Sequence, residues 1–224
     1  MALAEPVRAA LVAASTDESK GVVCGLHVAI AGGTMSIEAT DGHRLAIRTQ
    51  PADGAIDIIL PTRTLSAIQR LDSQQVTLAA SASQAIITAD NVTITSRTLA
   101  GTYPGVAKLI PDAFKSSLTV GREELMAALE RIAIVNAEIV KLTVKGKNLS
   151  ITAESEASSG SETLACSGSF ANAAFNVRYL LDGLKHFDSA KVQIDSNSPT
   201  TPVVLTPTGV SGQIYLVMPI QTKV

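Results

Sequence analysis

An internal repeat is the sequence feature that most constrains the fold of this chain. Residues 60–78, LPTRTLSAIQRLDSQQVTL, align with residues 175–194, FNVRYLLDGLKHFDSAKVQI, so that Arg63 falls on Arg178. Upstream, MSIEAT matches LSITAE at a nearly equal shift, and an Ala-rich segment precedes each. Ordered matches at one period indicate duplication. The sequence therefore predicts two tandem homologous domains.

Both copies carry the same order of elements. A first helix (5–15 and 122–135) precedes alternating strands, and a second helix (63–71 and 177–187) precedes further strands. The predicted hairpin turns are Gly32-Gly33, Ala89-Asp90-Asn91 and Gly146-Lys147-Asn148. We expect two α+β domains with antiparallel sheets and two helices each, at residues 1–112 and 118–224, joined by a linker at 113–117.

Composition and charge exclude several classes of protein. No apolar run approaches the length of a membrane span, and an acid and a Pro near the start argue against a signal peptide, so we expect a soluble, cytoplasmic protein. The net charge of −2 would not draw the chain onto DNA. Cys24 and Cys166 lie far apart in apolar, strand-like runs, which favours reduced, buried thiols. We expect no metal and no cofactor.

The stretch EATDGHRLAIRT, residues 38–49, has three interpretations. His43 between Asp41 and Arg44 could be a base oriented by a carboxylate, but sequence neighbours on a strand point to opposite sides and no nucleophile motif is present. A plain Asp-Gly hairpin turn accounts for the geometry and leaves Thr40, His43 and Arg44 unexplained. A binding surface is the third interpretation.

Cations recur on the two predicted second helices. Arg63 and Arg70 are seven residues apart, as are Arg178 and Lys185, and seven residues make two helical turns. Each pair is therefore predicted to stand on one helix face. The cations either belong to ordinary solvated faces or form a strip that contacts DNA phosphates weakly and without sequence preference.

Two separated motifs carry a family resemblance. ATDGHRLA, together with the chain end YLVMPI, resembles the bacterial replicative sliding clamp, the beta subunit of DNA polymerase III, whose second domain carries the first motif and whose third domain ends on the other. The segments IILPTRTLSAIQRL, ITSRTLAGTYPGVAKLIP, ITAESEA and FNVRYLLDGL follow the same family, so the resemblance covers nearly the whole chain. It implies two DNA-clamp domains and a non-catalytic processivity factor that encircles duplex DNA.

The resemblance also implies a pocket for short linear peptides of DNA polymerases, the clamp loader and other replication or repair proteins. Its lining, carried over by motif, includes Val23 on the strand before the first motif. The implied residues are Val23, Thr40, Gly42, His43, Arg44, Leu45, Pro104, Lys108, Leu109, Leu216, Val217, Met218, Pro219 and Ile220. In the same family the second helices line the hole of the ring, which assigns Arg63, Arg70, Arg178 and Lys185 to the DNA-facing surface.

The chain departs from the family pattern at its start. The resemblance begins at the family's second domain, so the usual closure between first and third domains is missing. We expect a homotrimeric ring of six domains. The alternatives are an excised fragment of a longer clamp and a non-encircling adaptor that binds the same peptides. The initial Met followed by a helix favours a natural start. Lys108 stands where the family typically has Arg, which keeps the charge but loses bidentate geometry.

Overall fold

The computed structural model describes residues 3–71, 75–135, 138–155 and 157–221. The chain divides into two compact units, residues 1–106 and 107–224. The linker predicted at 113–117 stays a prediction, and Ser116 and Ser117 open the first strand of the second unit.

The first unit contains two helices and two antiparallel sheets within its described residues. The strands of one sheet follow the order β3-β2-β1-β4 and those of the other follow β5-β6-β7. The elements are α1 (Ala4–Leu11), β1 (Gly25–Ala31), β2 (Thr34–Thr40), β3 (Arg44–Pro51), β4 (Ile56–Pro61), α2 (Thr62–Ile68), β5 (Val76–Ala80), β6 (Gln84–Ala89) and β7 (Val92–Arg97).

The second unit repeats this plan with one strand added before its first helix. Its strands are antiparallel in the order β12-β9-β10-β11-β8-β13-β14-β15. The elements are β8 (Ser116–Gly121), α3 (Arg122–Ala133), β9 (Ile139–Lys145), β10 (Asn148–Glu154), β11 (Ser159–Gly168), β12 (Ala173–Asn176), α4 (Val177–Leu184), β13 (Lys191–Ser196), β14 (Val203–Pro207) and β15 (Gln213–Val217). The predicted α+β class with antiparallel sheets is confirmed.

Tight turns set the register of the hairpins, as predicted. Gly32 and Gly33 have φ of +56° and +76°, and this left-handed pair joins β1 to β2 in a two-residue turn. Glycine is favoured there because the left-handed region costs it no steric strain. Gly146 and Asp90 take positive φ in the equivalent turns of β9–β10 and β6–β7.

The second helices are shorter than the sequence predicts. After α2 ends, the N–H groups of Arg70 and Leu71 donate to carbonyls three residues back, and such bonds tighten a chain that is leaving the helix. Arg70 therefore lies beyond α2, while Lys185 is the C-cap residue of α4. The N–H of Lys185 still donates to the Leu181 carbonyl four residues back, so only the α2 pair departs from the predicted continuous helix.

The segment before β1 also differs from its prediction. Residues Glu18–Cys24 form a 3-10 segment broken by Gly21 at φ +62°, so Val23 and Cys24 precede the strand instead of lying on it. The Asp17 side chain accepts the N–H of Ser19 and thereby starts the turn. Cys24 and Cys166 are free thiols, and both are half-buried rather than buried.

Aliphatic side chains fill the cores beneath the helices. One face of α4 buries Val177, Leu180, Leu181 and Leu184, and α2 buries Leu65 and Ile68. A helix with one apolar stripe gains most of its stability from packing that stripe against a sheet. Within the described residues, no helix is long and apolar enough to cross a membrane.

Candidate functional site

The β2–β3 hairpin holds the central motif in a closed network of hydrogen bonds. The Thr40 hydroxyl donates to the Arg44 carbonyl at 2.7 Å and accepts the Gly42 N–H at 3.1 Å. The Asp41 carboxylate accepts the N–H groups of His43 and Arg44 at 2.8 and 3.1 Å. Gly42 adopts φ +94°, a conformation that a residue with a Cβ rarely takes. These hydrogen bonds define the turn, and the prediction of a turn is confirmed.

The second oxygen of Asp41 serves the same turn. Its Oδ2 lies 3.0 Å from Arg44 Nε, and both side chains are only 13% exposed. The carboxylate thus caps the backbone and pairs with a guanidinium, which is a structural use of the acid. A catalytic base at His43 would need the Asp41 carboxylate to orient its ring. Both oxygens of that carboxylate instead bond groups of the hairpin, which argues against the catalytic interpretation.

A buried tyrosine ties the hairpin to a distant part of the first unit. The Thr40 N–H donates to the Tyr103 hydroxyl at 3.0 Å, and Tyr103 is 8% exposed. Burial raises the pKa of Tyr103 to about 12, so the hydroxyl stays neutral at physiological pH. Because Thr40 is itself buried, loss of this acceptor would leave its N–H without a bond in an apolar setting.

His27 stacks on that tyrosine and bridges two acids. The rings of His27 and Tyr103 lie 5.1 Å apart at an angle of 14°. The Nδ1 of His27 is 3.2 Å from Glu38 Oε2, and its Nε2 is 2.9 Å from Asp57 Oδ1. The hydrogen bond to Glu38 raises the pKa of His27, burial opposes that shift, and Asp57 adds to it. His27, Glu38, Asp57 and Tyr103 are hereafter the histidine cluster.

The histidine cluster opens onto a cleft of about 550 Å³. Backbone and side chains of the segment that follows β7 form its far wall. The lining residues are His27, Asp57, Ile58, Ile59, Ala82, Thr98, Leu99, Ala100, Gly101, Thr102 and Tyr103. The cleft lies wholly within the first unit and brings His27 and Tyr103 together with the residues that precede Pro104.

The sequence pattern does not show that His27, Glu38, Asp57 and Tyr103 come together. The predicted turn at Gly32-Gly33 does indicate the pairing of His27 with Glu38, because a two-residue hairpin there places the two residues opposite each other. Asp57 comes from β4, whose pairing with β1 is not fixed by any short turn. Only the structure reveals that third member.

The implied peptide-binding residues of the first unit differ in exposure. Gly42, His43 and Pro104 are exposed, Arg44 and Val23 are half-buried, and Thr40 and Leu45 are buried. Leu45 is only 1% exposed. The exposed members offer contact surface, whereas Leu45 lies behind that surface.

The remaining implied residues belong to the second unit. Lys108 and Leu109 lie in the 3-10 turn Val106–Leu109, and Leu109 is 53% exposed. Leu216 and Val217 end β15 and are buried, while Met218 is 37% exposed. Met218 therefore presents an adaptable apolar side chain directly after two buried anchors.

A second cleft, of about 380 Å³, lies within the second unit beside the chain end. The Ile220 N–H donates to the Ala174 carbonyl at 2.7 Å and fixes the segment after Met218 in place. The lining residues are Lys141, Asn172, Ala173, Ala174, Pro199, Thr200, Ile220 and Gln221. Four of these residues are apolar and four are polar, so the lining is mixed.

The four implied DNA-facing cations are all exposed. Arg63 lies in the first turn of α2 and Arg178 in the first turn of α4. These two therefore occupy matching places in the two units, as the repeat predicts.

Family models match both halves of the chain. The model of the DNA polymerase III beta subunit, central domain, matches residues 1–105, and that of the C-terminal domain matches residues 107–221. The Beta sliding clamp of Synechococcus elongatus is 36% identical over 240 residues, which cover 99% of this chain and 64% of that relative. The chain thus spans less than two thirds of the relative's length.

Solved structures agree with these matches. The crystal structure of the DNA polymerase sliding clamp from Bacillus subtilis superposes with a TM-score of 0.92 at 26% identity, over 98% of this chain and 62% of that one. The DNA polymerase III beta subunit of Thermotoga maritima gives 0.90 at 22% identity, over 98% of this chain and 63% of that one, and shows the fold alone.

The histidine cluster generates a pH-dependent prediction. A raised folded-state pKa means that His27 stabilises the fold fully below its ordinary value of 6.5, and that this contribution is lost as pH rises through the raised pKa. His27→Gln should therefore lower the free energy of unfolding more at about pH 6 than at about pH 8.5. Denaturant titrations at both pH values measure this, with Glu38→Gln expected to flatten the same dependence. An equal loss at both pH values would rule out the assigned role.

Proposed function

This chain belongs to the DNA polymerase III beta subunit family, and from that membership we propose that it is a sliding clamp, a non-catalytic processivity factor. It encircles duplex DNA and tethers a polymerase through a short linear peptide. The observation that carries the proposal is the ordered match of two clamp domains across nearly the entire chain. The proteins it resembles are described as sliding clamps.

Ring closure is proposed through three copies. Two homologous units per chain give six domains in a trimer, and a head-to-tail contact that repeats by rotation closes a ring. Because such a ring holds DNA topologically, it needs no strong attraction, which agrees with a net charge of −2. The proposed site of action is the cytoplasm, where the bacterial chromosome lies.

The DNA-facing role rests on Arg63 and Arg178. Their equivalent, exposed places in the first turns of α2 and α4 give each unit one cation at the same position. Repeated around a ring, isolated cations contact phosphates weakly and non-specifically, which suits sliding. Arg70 and Lys185 lie at or beyond the helix ends and would add charge at the margin of that surface.

The peptide-binding role rests on the exposed members of the implied set. Leu109 and Met218 supply apolar contact area, and the exposed Lys108 supplies positive charge for a carboxylate of the peptide. Arg44 is paired with Asp41 and is proposed to hold the β2–β3 hairpin in shape. Leu45, Leu216 and Val217 are buried and are proposed to support the contact surface from behind. The hydrogen-bonded β2–β3 hairpin of the first unit would present its exposed residues Gly42 and His43 without an ordering cost on binding.

Retention on circular DNA tests encirclement. Chain assembled in the presence of nicked circular plasmid should remain on the DNA through gel filtration at moderate salt and should dissociate once the plasmid is cut to a linear form. Dissociation from circular and linear plasmid at the same rate would contradict the ring. That result would favour a non-encircling adaptor that binds peptides.

A charge-reversal pair tests the DNA-facing assignment. Arg63→Glu with Arg178→Glu should reduce retention on the nicked circle about tenfold, because repulsion from phosphates replaces weak attraction. Peptide affinity should stay unchanged. Arg97→Glu with Lys147→Glu makes the same change of charge at exposed positions outside the helices and serves as the matched control. Equal retention of the two double variants on the nicked circle would contradict the DNA-facing assignment of Arg63 and Arg178.

Truncation of the exposed methionine tests the peptide site. Met218→Ala should weaken binding of fluorescent peptides from bacterial replicative polymerases about tenfold, since an apolar anchor of this kind contributes more than about 1 kcal/mol. Val210→Ala removes a similarly exposed aliphatic side chain of the same unit and should leave affinity unchanged. Fluorescence anisotropy measures both. Unchanged affinity in Met218→Ala would exclude this residue from the site.

A further inference from the structure

Each unit has a cleft at the same place in its fold. In the first unit the Leu99 N–H donates to the Ile59 carbonyl at 2.9 Å, and in the second the Ile220 N–H donates to the Ala174 carbonyl at 2.7 Å. The alignment of the repeat places Ile59 on Ala174. In both units the segment that leaves the last strand is therefore bonded to the equivalent strand, β4 or β12, and these residues line the two clefts. The clefts are two copies of one feature.

The strand that pairs with β4 or β12 carries a different side chain in each copy. His27 of β1 lies opposite Ile59, and Lys141 of β9 lies opposite Ala174. Both side chains belong to the lining of their clefts. An ammonium in the second cleft thus stands where the first cleft has an imidazole.

Two carboxylates distinguish the first cleft further. Asp57 lines it, and the repeat places Asn172 at the same position of the second cleft. On the neighbouring strand, Glu38 bonds His27, whereas the second unit has Thr152 at that position. Even a protonated His27 leaves the two carboxylates in excess. The first cleft is therefore acidic and the second is basic.

The Asp57 carboxylate can accept a further donor. Its side chain is 83% exposed, and its Oδ1 lies 2.9 Å from His27 Nε2. A carboxylate has about four acceptor sites, so this contact leaves capacity for a ligand. Ile58 and Leu99 line the same cleft and supply apolar surface beside the acid. An arginine side chain suits this combination, because it joins an apolar stem to a planar cationic head that matches a carboxylate.

We propose that the cleft of the first unit holds an arginine side chain of an extended segment of a partner protein, with its guanidinium donating to Asp57 and its stem packed on Leu99. Residues 100–102 border the cleft and are exposed, which leaves room for the main chain of such a segment. A protein segment is chosen over a free cation because Ile220, one of the implied peptide-binding residues, lines the equivalent cleft. In that respect the inference rests on the peptide-binding function proposed above.

Methyl NMR of the full chain tests the two clefts separately. Ile58 and Ile59 line the first cleft, and Ile220 lines the second. A capped pentapeptide, Leu-Ala-Arg-Ala-Leu, at millimolar concentration should shift the δ1 methyl signals of Ile58 and Ile59 saturably. Replacing its Arg by Gln should weaken binding at least about tenfold, because the charge-assisted hydrogen bonds to Asp57 are lost.

Two results of this titration would count against the proposal. The absence of saturable shifts, or shifts confined to Ile220, would overturn it. Ethylguanidinium binding the same cleft as tightly as the arginine peptide would overturn the choice of a protein segment.

Matched variants test the role of the carboxylate. Asp57→Asn gives the first cleft the amide that Asn172 supplies in the second, and it should weaken the arginine peptide about tenfold. Because Asp57 is exposed, the variant should fold. Asp53→Asn removes the same charge at an exposed position outside the lining and should bind as the parent chain does. Equal affinity of the two variants for the arginine peptide would refute the role of Asp57.

A second ligand separates failure of this inference from failure of the proposed function. A peptide from a bacterial replicative polymerase is titrated into the parent chain and into Met218→Ala. Polymerase-peptide binding that depends on Met218, without binding of the arginine peptide, would overturn this inference alone. Binding of neither peptide would overturn both.

Discussion

The backbone register of the β1–β2–β3 meander is the constraint on which the candidate site depends. The left-handed turn at Gly32-Gly33 places His27 opposite Glu38, and the next hairpin places Thr40 opposite Leu45. A shift by one residue would send every side chain to the other face of the sheet. His27 would then lose its acids, and the backbone of Thr40 would no longer meet Tyr103.

The two units share one fold and differ in local features. The two units share helices, hairpins and an arginine at the first turn of the second helix, which suits a surface that repeats around an axis. In the second unit, β8 directly precedes α3 and pairs with β13. The units differ also at the histidine cluster, which belongs to the first unit.

Much of this organisation is readable from the sequence because it is local or repeated. The duplication, the element order and the Gly turns each depend on residues that are close together or recur at a fixed shift. The helix ends were placed too late, since i to i+3 bonds around Arg70 end α2 without a Gly or Pro to announce it. Tyr103 and Thr40 are 63 residues apart, so their hydrogen bond had no local signature.

The sequence pattern also did not predict which residues of the candidate site are buried. Leu45, Leu109, Leu216 and Met218 are all apolar residues in or beside strands and turns, yet two are buried and two are exposed. The family resemblance assigned them to one peptide pocket without ranking them. Exposure separates the residues proposed to contact a peptide from those proposed to support them.

Closure of a ring by three two-domain chains is the central claim, and the native mass in solution tests it most directly. Light scattering coupled to size-exclusion chromatography at micromolar concentration should give three times the 23.2 kDa mass of the chain. A mass equal to one or two chains across that range would contradict the six-domain ring.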